Sequence, residues 1–396
     1  MTSPMIRAEG DLLACTARST TDRPTSERVD GLIRRGIDWD RFLWAANSHG
    51  LTPLADRHLS ELPAVPAAIR ARLRERAREV AERNIAMVAL LLRLDSVLAS
   101  EGLVGVPFKG PTLALSAYGN LASRQFVDLD IAVRKREVRR ARAALAREGF
   151  SGGPRSRQEE TAWMRYSNEF TLGRPKDGMI VELQWAAAPR YFAIPVAMES
   201  FWSSLGSVDV GGQRLHAFAD EDLLVLLLVH GAKHLWERLI WVCDVAELVR
   251  SRPNLDWDRV SRHAHDARAV RVLAVGLGLA HRLQPDVPLP PDVIRTIRDD
   301  PEGEKLAERL WARTLCSASG EEDQPFRWLD LRMREDRRDR ATYCWRLAST
   351  PTRGDWEWLS LPRSMTWAYL PLRPVRLGWK YGKRALWRGS RIARGD

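Results

Sequence analysis

The sequence predicts an α+β protein in which a small sheet-bearing core lies between N-terminal and C-terminal helical regions. Three observations predict it. Apolar residues recur at helical spacing over residues 29–103 and again from Asp220 onward. The texture changes at Val104 to short apolar runs broken by Gly and Pro, and the run Val127-Asp-Leu-Asp-Ile-Ala-Val133 reads as a strand. At 396 residues the chain suits two or three packed units rather than one core.

Residues 1–27 are rich in Ser, Thr and charge and are expected to form a flexible N-terminus. Residues 28–103 form the N-terminal helical region. Trp39, Phe42, Leu43 and Ala46 recur at helical spacing there, and Pro63 and Pro66 precede a long Ala/Arg/Leu segment. The core, 104–219, opens with a short strand over 104–108, a turn at Lys109-Gly110 and a helix from Pro111 to Tyr118. A loop leads to the strand at 127–133 and then to an amphipathic helix over 134–148 ended by Gly149. After a Gly/Pro/Arg loop, strands at 168–172 and 179–185 form a hairpin across Arg174-Pro-Lys-Asp-Gly178. Residues 220–350 form a C-terminal helical domain that begins with one long helix from Asp220 toward Arg250, and Asp256 and Pro291 flank later helices. A basic, Trp-rich tail occupies 351–396.

An apolar fraction of 45% with 29% charged residues belongs to a globular chain and argues against disorder. No signal peptide is expected, and the most apolar run, 223–229, is too short for a bilayer. Cys15, Cys243, Cys316 and Cys344 lie far apart without C-x-x-C pairing, which argues against a zinc ribbon or disulfide framework and for a reducing cytoplasm. The net charge of +11 permits attraction to nucleotides, phosphates or acidic surfaces. Much of the excess sits in residues 363–394, with nine Lys or Arg and no Asp or Glu.

The chemistry concentrates at Asp128 and Asp130. Side chains two apart on a strand share a face, so these carboxylates stand together while Leu129, Ile131 and Val133 point into a core. Two ionised acids that close repel unless a cation lies between them, and oxygen ligands suit Mg²⁺. A solvated acidic edge strand is the alternative, and context shifts the balance. Lys109-Gly110-Pro111-Thr112 sits where a helix begins and N–H groups meet anions, with Gly110 admitting a phosphate to the backbone. Glu182, on a later strand, is a third acid, and three acids on adjacent strands can hold two metal ions for in-line displacement at phosphorus. Ordinary surface roles for Lys109 and Glu182 remain open at this point.

Phe108-Lys-Gly-Pro-Thr-Leu-Ala-Leu, Tyr118-Gly119, Arg124 and Asp128-Leu-Asp-Ile-Ala-Val133 resemble the signature of an uncharacterised bacterial nucleotidyltransferase family of the DNA polymerase beta-like superfamily. Leu228-Val-His-Gly-Ala-Lys-His-Leu-Trp-Glu-Arg-Leu-Ile-Trp-Val-Cys-Asp-Val245 resembles its helical motif, and together the motifs cover residues 39–250. The resemblance implies a small mixed β-sheet nucleotidyltransferase core flanked by helices, Mg²⁺ (two ions, with Mn²⁺ as a substitute) and a nucleoside triphosphate donor. Two departures stand out. Lys109-Gly110 replaces the Gly-Ser turn of many superfamily members, and Gln184 stands where relatives often carry histidine.

Along the predicted 220–250 helix, His230, Lys233, His234, Glu237, Trp241 and Asp244 fall three or four apart, on roughly one side. The stripe is expected to line the cleft, with Lys233 reaching the triphosphate and His230, His234 and Trp241 as further lining. An internal ion-pair network or a zinc site of His230, His234 and Glu237 would use the same spacing. Arg124 could clamp a phosphate or brace the loop against Asp128. In the tail, residues 362–394 combine Trp367, Trp379, Tyr381 and Trp387 with the cations; they suit peripheral contact with an acidic inner membrane surface or partner, or a fold back over the helices.

The expected function is Mg²⁺-dependent transfer of a nucleoside monophosphate from a nucleoside triphosphate to an acceptor hydroxyl or phosphate on a peptide, sugar or small metabolite. Asp128, Asp130 and Glu182 are the expected catalytic and metal-binding residues; Lys109, Gly110, Arg124 and Lys233 are the expected nucleotide-binding ones. No template- or tRNA-binding motif is present, so a polymerase-type substrate is not expected. Rival readings are a non-catalytic nucleotide- or partner-binding module and a protein-modifying nucleotidyltransferase. The orientation of Glu182 separates the binding module from the enzyme.

Overall fold

The structure, a computed structural model, describes residues 7–154, 156–316 and 328–351 and a few positions between 355 and 376. Five helices lead: α1 (Arg7–Thr16), α2 (Arg23–Arg34), α3 (Trp39–Ser48), α4 (Thr52–Leu59) and the long α5 (Ala67–Ser100). The core follows as β1 (Val106–Pro107), α6 (Gly110–Ser116), β2 (Leu129–Ala132), α7 (Val138–Arg147), α8 (Arg157–Tyr166), β3 (Glu169–Arg174), β4 (Met179–Gln184), α9 (Met198–Phe201), β5 (Gly206–Val210) and β6 (Gln213–Ala217). The rest is helical: α10 (Asp220–Lys233), α11 (Leu239–Ser251), α12 (Trp257–Asp266), α13 (Val270–Leu283), α14 (Pro291–Arg298), α15 (Pro301–Cys316), α16 (Trp328–Arg332) and α17 (Arg337–Ser349). The class is α+β, as the sequence predicts.

The main sheet is small and mixed, in the order β1-β2-β4-β3, and β5 and β6 form a separate hairpin. β2 runs antiparallel to β1 and parallel to β4, in a register that sets Asp130 beside Glu182. Leu129, Ile131 and Val133 bury their side chains with Leu145, Phe170, Val181 and Leu183, and the second half of α5 closes this core through Met87, Leu91 and Leu94. Burial on one face leaves the acidic side chains of β2 and β4 to the other.

A second core joins the two ends of the chain. Leu12, Leu13, Phe42 and Leu54 pack with Leu227, Trp236, Val245, Leu273 and Leu310. The N-terminal helices are thus built onto the C-terminal helices rather than standing as a layer of their own. This corrects the expectation of a flexible start: from residue 7 onward the segment is anchored. Leu12 and Leu13 are fully buried, the Cys243 thiol and the Gln284 amide donate to the Ala17 carbonyl, and the Ser19 N–H donates to Glu247 at 2.9 Å. Two adjacent leucines made too short a signal to read, yet they are what the second core takes up.

Two further expectations are corrected. The Gly/Pro/Arg loop before β3 contains α8, started by Ser156, whose hydroxyl accepts the Glu159 N–H at 3.1 Å. The single helix from Asp220 toward Arg250 is two helices. α10 stops in a turn where the Trp236 N–H reaches the Gly231 carbonyl at 2.8 Å and the Leu235 N–H the Ala232 carbonyl at 3.0 Å. This is a Schellman-type stop, normally made by glycine, but here Leu235 (φ 52°) and Trp236 (φ 46°) take the left-handed conformation themselves. Trp236 is fully buried, and its indole lies where any side chain on Gly231 would go, so packing fixes a turn that local propensity disfavours.

Among the described residues no helix is long and apolar enough to cross a membrane. Trp367, Trp379, Tyr381 and Trp387, with most of 362–394, lie outside the described residues.

Candidate active site

A cleft of about 200 Å³ opens between the acidic face of the sheet and the α10–α11 turn, and the two cores meet behind it. It is lined by the acids Asp128, Asp130, Glu169 and Glu182, by the cations Lys109, Arg124, Lys233 and Arg238, and by His230, His234 and Trp241. The loop before β2 is pinned from α5, where the buried Asn84 amide donates to the Leu121 and Arg124 carbonyls at 2.8 and 2.9 Å. Gly110 has φ 53° and passes close to the Asp128 carbonyl, which brings the lysine turn against the start of β2.

The three acids converge. Lys109 Nζ lies 2.6 Å from Asp130 Oδ1, and both groups are buried. The Gln184 side-chain amide donates to Asp130 Oδ1 at 2.6 Å and to Glu182 Oε2 at 3.1 Å, one hydrogen to each acid. Gln184 thus bridges the two acids. Glu182 points toward Asp130, which favours the enzymatic reading over the binding module.

Crowding of negative charge shows in proton affinities. Burial, then Asp130 and Glu169, push the Glu182 carboxyl up to about 8. Burial and Asp130 also raise Asp128, against the opposing pull of Lys109, Arg124 and Arg238. Burial would lower Lys109, but Asp130, Glu182 and Asp128 outweigh it and hold the ammonium charged. His230 is held well below its ordinary value by burial and then by Lys109, so its ring is neutral and Nδ1 accepts from Lys109 Nζ at 3.4 Å.

Arg124 is used differently from either sequence expectation. Its Nε and Nη2 donate to the two oxygens of Asp244 at 2.7 Å each, and the Tyr118 hydroxyl donates to the same carboxylate at 2.7 Å. The guanidinium borders the cleft but is committed to a buried, bidentate pair that ties β2's approach to α11. Lys233 reaches Glu169 at 3.7 Å. His230, His234 and Trp241 pack ring on ring, with centroids 4.9–5.2 Å apart. Glu237 is turned to Arg313 at 2.9 Å, away from the histidines, and gives the zinc reading no support.

Sequence reasoning missed Arg238 and His49. His49 is buried; burial and then Arg238 lower it to about 4, so the neutral ring accepts the Leu239 N–H through Nδ1 at 3.3 Å and caps the start of α11. A signal for Arg238 existed: it lies four residues after His234 and three before Trp241, the spacing of the stripe itself.

The donor set of the acidic wall, three carboxylates without thiolate, suits a hard divalent cation, and burial followed by neighbouring carboxylate charge raises the proton affinities of Asp128 and Glu182. Among the described residues no group of three or more His, Cys, Asp or Glu is gathered closely enough to enclose a metal ion, and the Lys109 ammonium and the Gln184 amide both lie on Asp130 Oδ1.

None of the curated proteins searched matches the chain. A crystal structure of an antigenic nucleotidyltransferase-like protein from Paracoccidioides brasiliensis is similar at 14% identity and a TM-score of 0.30, over 54% of this chain and 91% of that one. Residues 35–285, more than half the chain and all of the cleft, match the family described as uncharacterised nucleotidyltransferase. The chain belongs to that nucleotidyltransferase family and is an enzyme of it.

Proposed function

We propose that the protein moves a nucleoside monophosphate from a nucleoside triphosphate to an acceptor hydroxyl or phosphate, with Mg²⁺ as cofactor and Mn²⁺ as a substitute. One observation carries the reading: the register that sets Asp130 beside Glu182, with Asp128 immediately before the same strand and Lys109 against Asp130. Asp128, Asp130 and Glu182 would hold the metal, which supplies charge neutralisation at the phosphates and a lowered pKa for the attacking hydroxyl. Lys109 and Lys233 offset the charge of the phosphate chain, and Gly110 gives it room beside the backbone. Trp241 and the two histidines offer flat surfaces for a base or acceptor ring. The acceptor is a peptide, sugar or small metabolite rather than a nucleic-acid template, and the setting is cytoplasmic, with residues 362–394 free to add contact to an acidic membrane surface or partner.

The test is Mg²⁺-dependent pyrophosphate release from each of four nucleoside triphosphates, with and without candidate acceptors. Release with at least one triphosphate, lost in Asp128→Asn, is the expected result. No release from any of them, with metal and the acceptors supplied, would reject the reading.

A further inference from the structure

Four cations border the cleft, and three have carboxylate partners. Lys109 pairs with Asp130, Arg124 with Asp244, and Lys233 lies near Glu169. Arg238 differs. Among the described residues no carboxylate lies within ion-pair distance of it, and its hydrogen bond runs from Nε to the Ser48 carbonyl at 3.1 Å. That single bond fixes the fork from behind and leaves the Nη groups for a ligand.

The surroundings hold this arginine in place. It lies two residues after Trp236 of the left-handed pair, so the turn that buries Trp236 also bears on where Arg238 stands. Its guanidinium lies over the Trp241 ring at 6.0 Å, one turn further along α11. On the other side, Gly50 leaves space: a Cβ there would sit 3.2 Å from Arg238 Nη2. A half-buried cation without a counter-ion is costly, and a planar fork suits a phosphate better than a point charge does.

We propose that Arg238 is the phosphate-binding arginine of this cleft, taking an oligophosphate carried by the triphosphate donor or by a phosphorylated acceptor. The inference deepens the nucleotidyl-transfer reading and rests on it for the identity of the ligand. Burial and the neighbouring Arg124 lower the proton affinity of Arg238, as expected of a positive charge that awaits an anion. The acids across the cleft supply the complementary half, since a metal-bound phosphate chain presents a cation to Asp128 and anions to Arg238.

The test measures binding of inorganic tripolyphosphate, ATP and adenosine to the full chain and to R238Q, R238K and, as a remote control, R282Q. R238Q is expected to weaken tripolyphosphate binding by about 10- to 100-fold, the worth of one charged hydrogen-bonding group, while adenosine is unaffected. R238K, which keeps the charge without the fork, is expected to fall between, and it preserves the test if R238Q does not fold. ATP weakened in step with tripolyphosphate identifies the donor phosphates; ATP unchanged identifies an acceptor phosphate. Unaltered tripolyphosphate binding by both variants, equal loss of adenosine, or no tripolyphosphate binding by the native chain would overturn the proposal. Tripolyphosphate binding that depends on Arg238, without pyrophosphate release from any triphosphate, would leave the arginine site standing and reject transfer instead.

Discussion

Asp244 and Asp128 both lie near the charge of Arg124, and they are treated in opposite ways. Asp244 accepts from Tyr118 and twice from Arg124, so its charge is matched where it is buried. Asp128 shares its space with Asp130 and Glu182, and burial together with Asp130 raises its proton affinity. The matched pair holds α11 to the approach of β2. Asp130 is paired with Lys109, whereas Asp128 and Glu182 have no ion pair among the described residues, and added positive charge would relieve them. Sites that bind commonly give up stability in this way.

The largest effect expected on this contrast is catalytic. Replacing Asp128 and Asp130 together by Asn should lower Mg²⁺-dependent pyrophosphate release by on the order of 10³-fold while leaving circular dichroism unchanged, because the loss removes preorganised charge at the reacting phosphate. Next comes the matched pair. Asp244→Asn leaves the Arg124 guanidinium buried without a counter-ion and should cost about 3–5 kcal/mol in denaturant unfolding.

Gly231→Ala tests the turn between the two sides. The added methyl overlaps the Trp236 indole, and overpacking of this kind costs about 1–3 kcal/mol. Because the turn also positions Arg238, tripolyphosphate binding should weaken with it. The smallest effect is a slope. Glu182 rises from an ordinary 4.5 to about 8 on folding, so between those values the folded protein retains a proton that the unfolded chain releases. Stability of the metal-free protein should therefore fall as pH rises through that window, and Glu182→Gln should flatten the fall. An unchanged slope in the variant would assign the crowding to another group.

The sheet and its acids were legible because a strand carries its pattern locally. Asp128, Asp130 and Glu182 follow from alternation and from hydrophobic faces that must be buried. What was not legible depends on distant partners. Leu12 and Leu13 make no helix signal alone, and they matter because helices more than 200 residues later receive them. The stop after Lys233 has no glycine at its left-handed positions; only the close approach of Gly231 and Trp236 explains it, and that contact exists in space rather than in composition. Reading through the stop misplaced Glu237, which turns to Arg313. The pairing of Arg124 with Asp244 was hidden for a related reason: an arginine beside an acidic strand suits a phosphate and a buried aspartate equally, and Asp244 lies 120 residues away.

The most direct measurement is the sign of one substitution made twice. Thermal unfolding of Asp128→Asn and Asp244→Asn, without divalent metal at pH 8, should move in opposite directions. Asp128→Asn should melt at or above the native temperature and lose the stabilisation that Mg²⁺ gives the native protein, whereas Asp244→Asn should melt well below it. A clear drop for Asp128→Asn, comparable to that for Asp244→Asn, would show that its carboxylate is already matched, and would contradict the account.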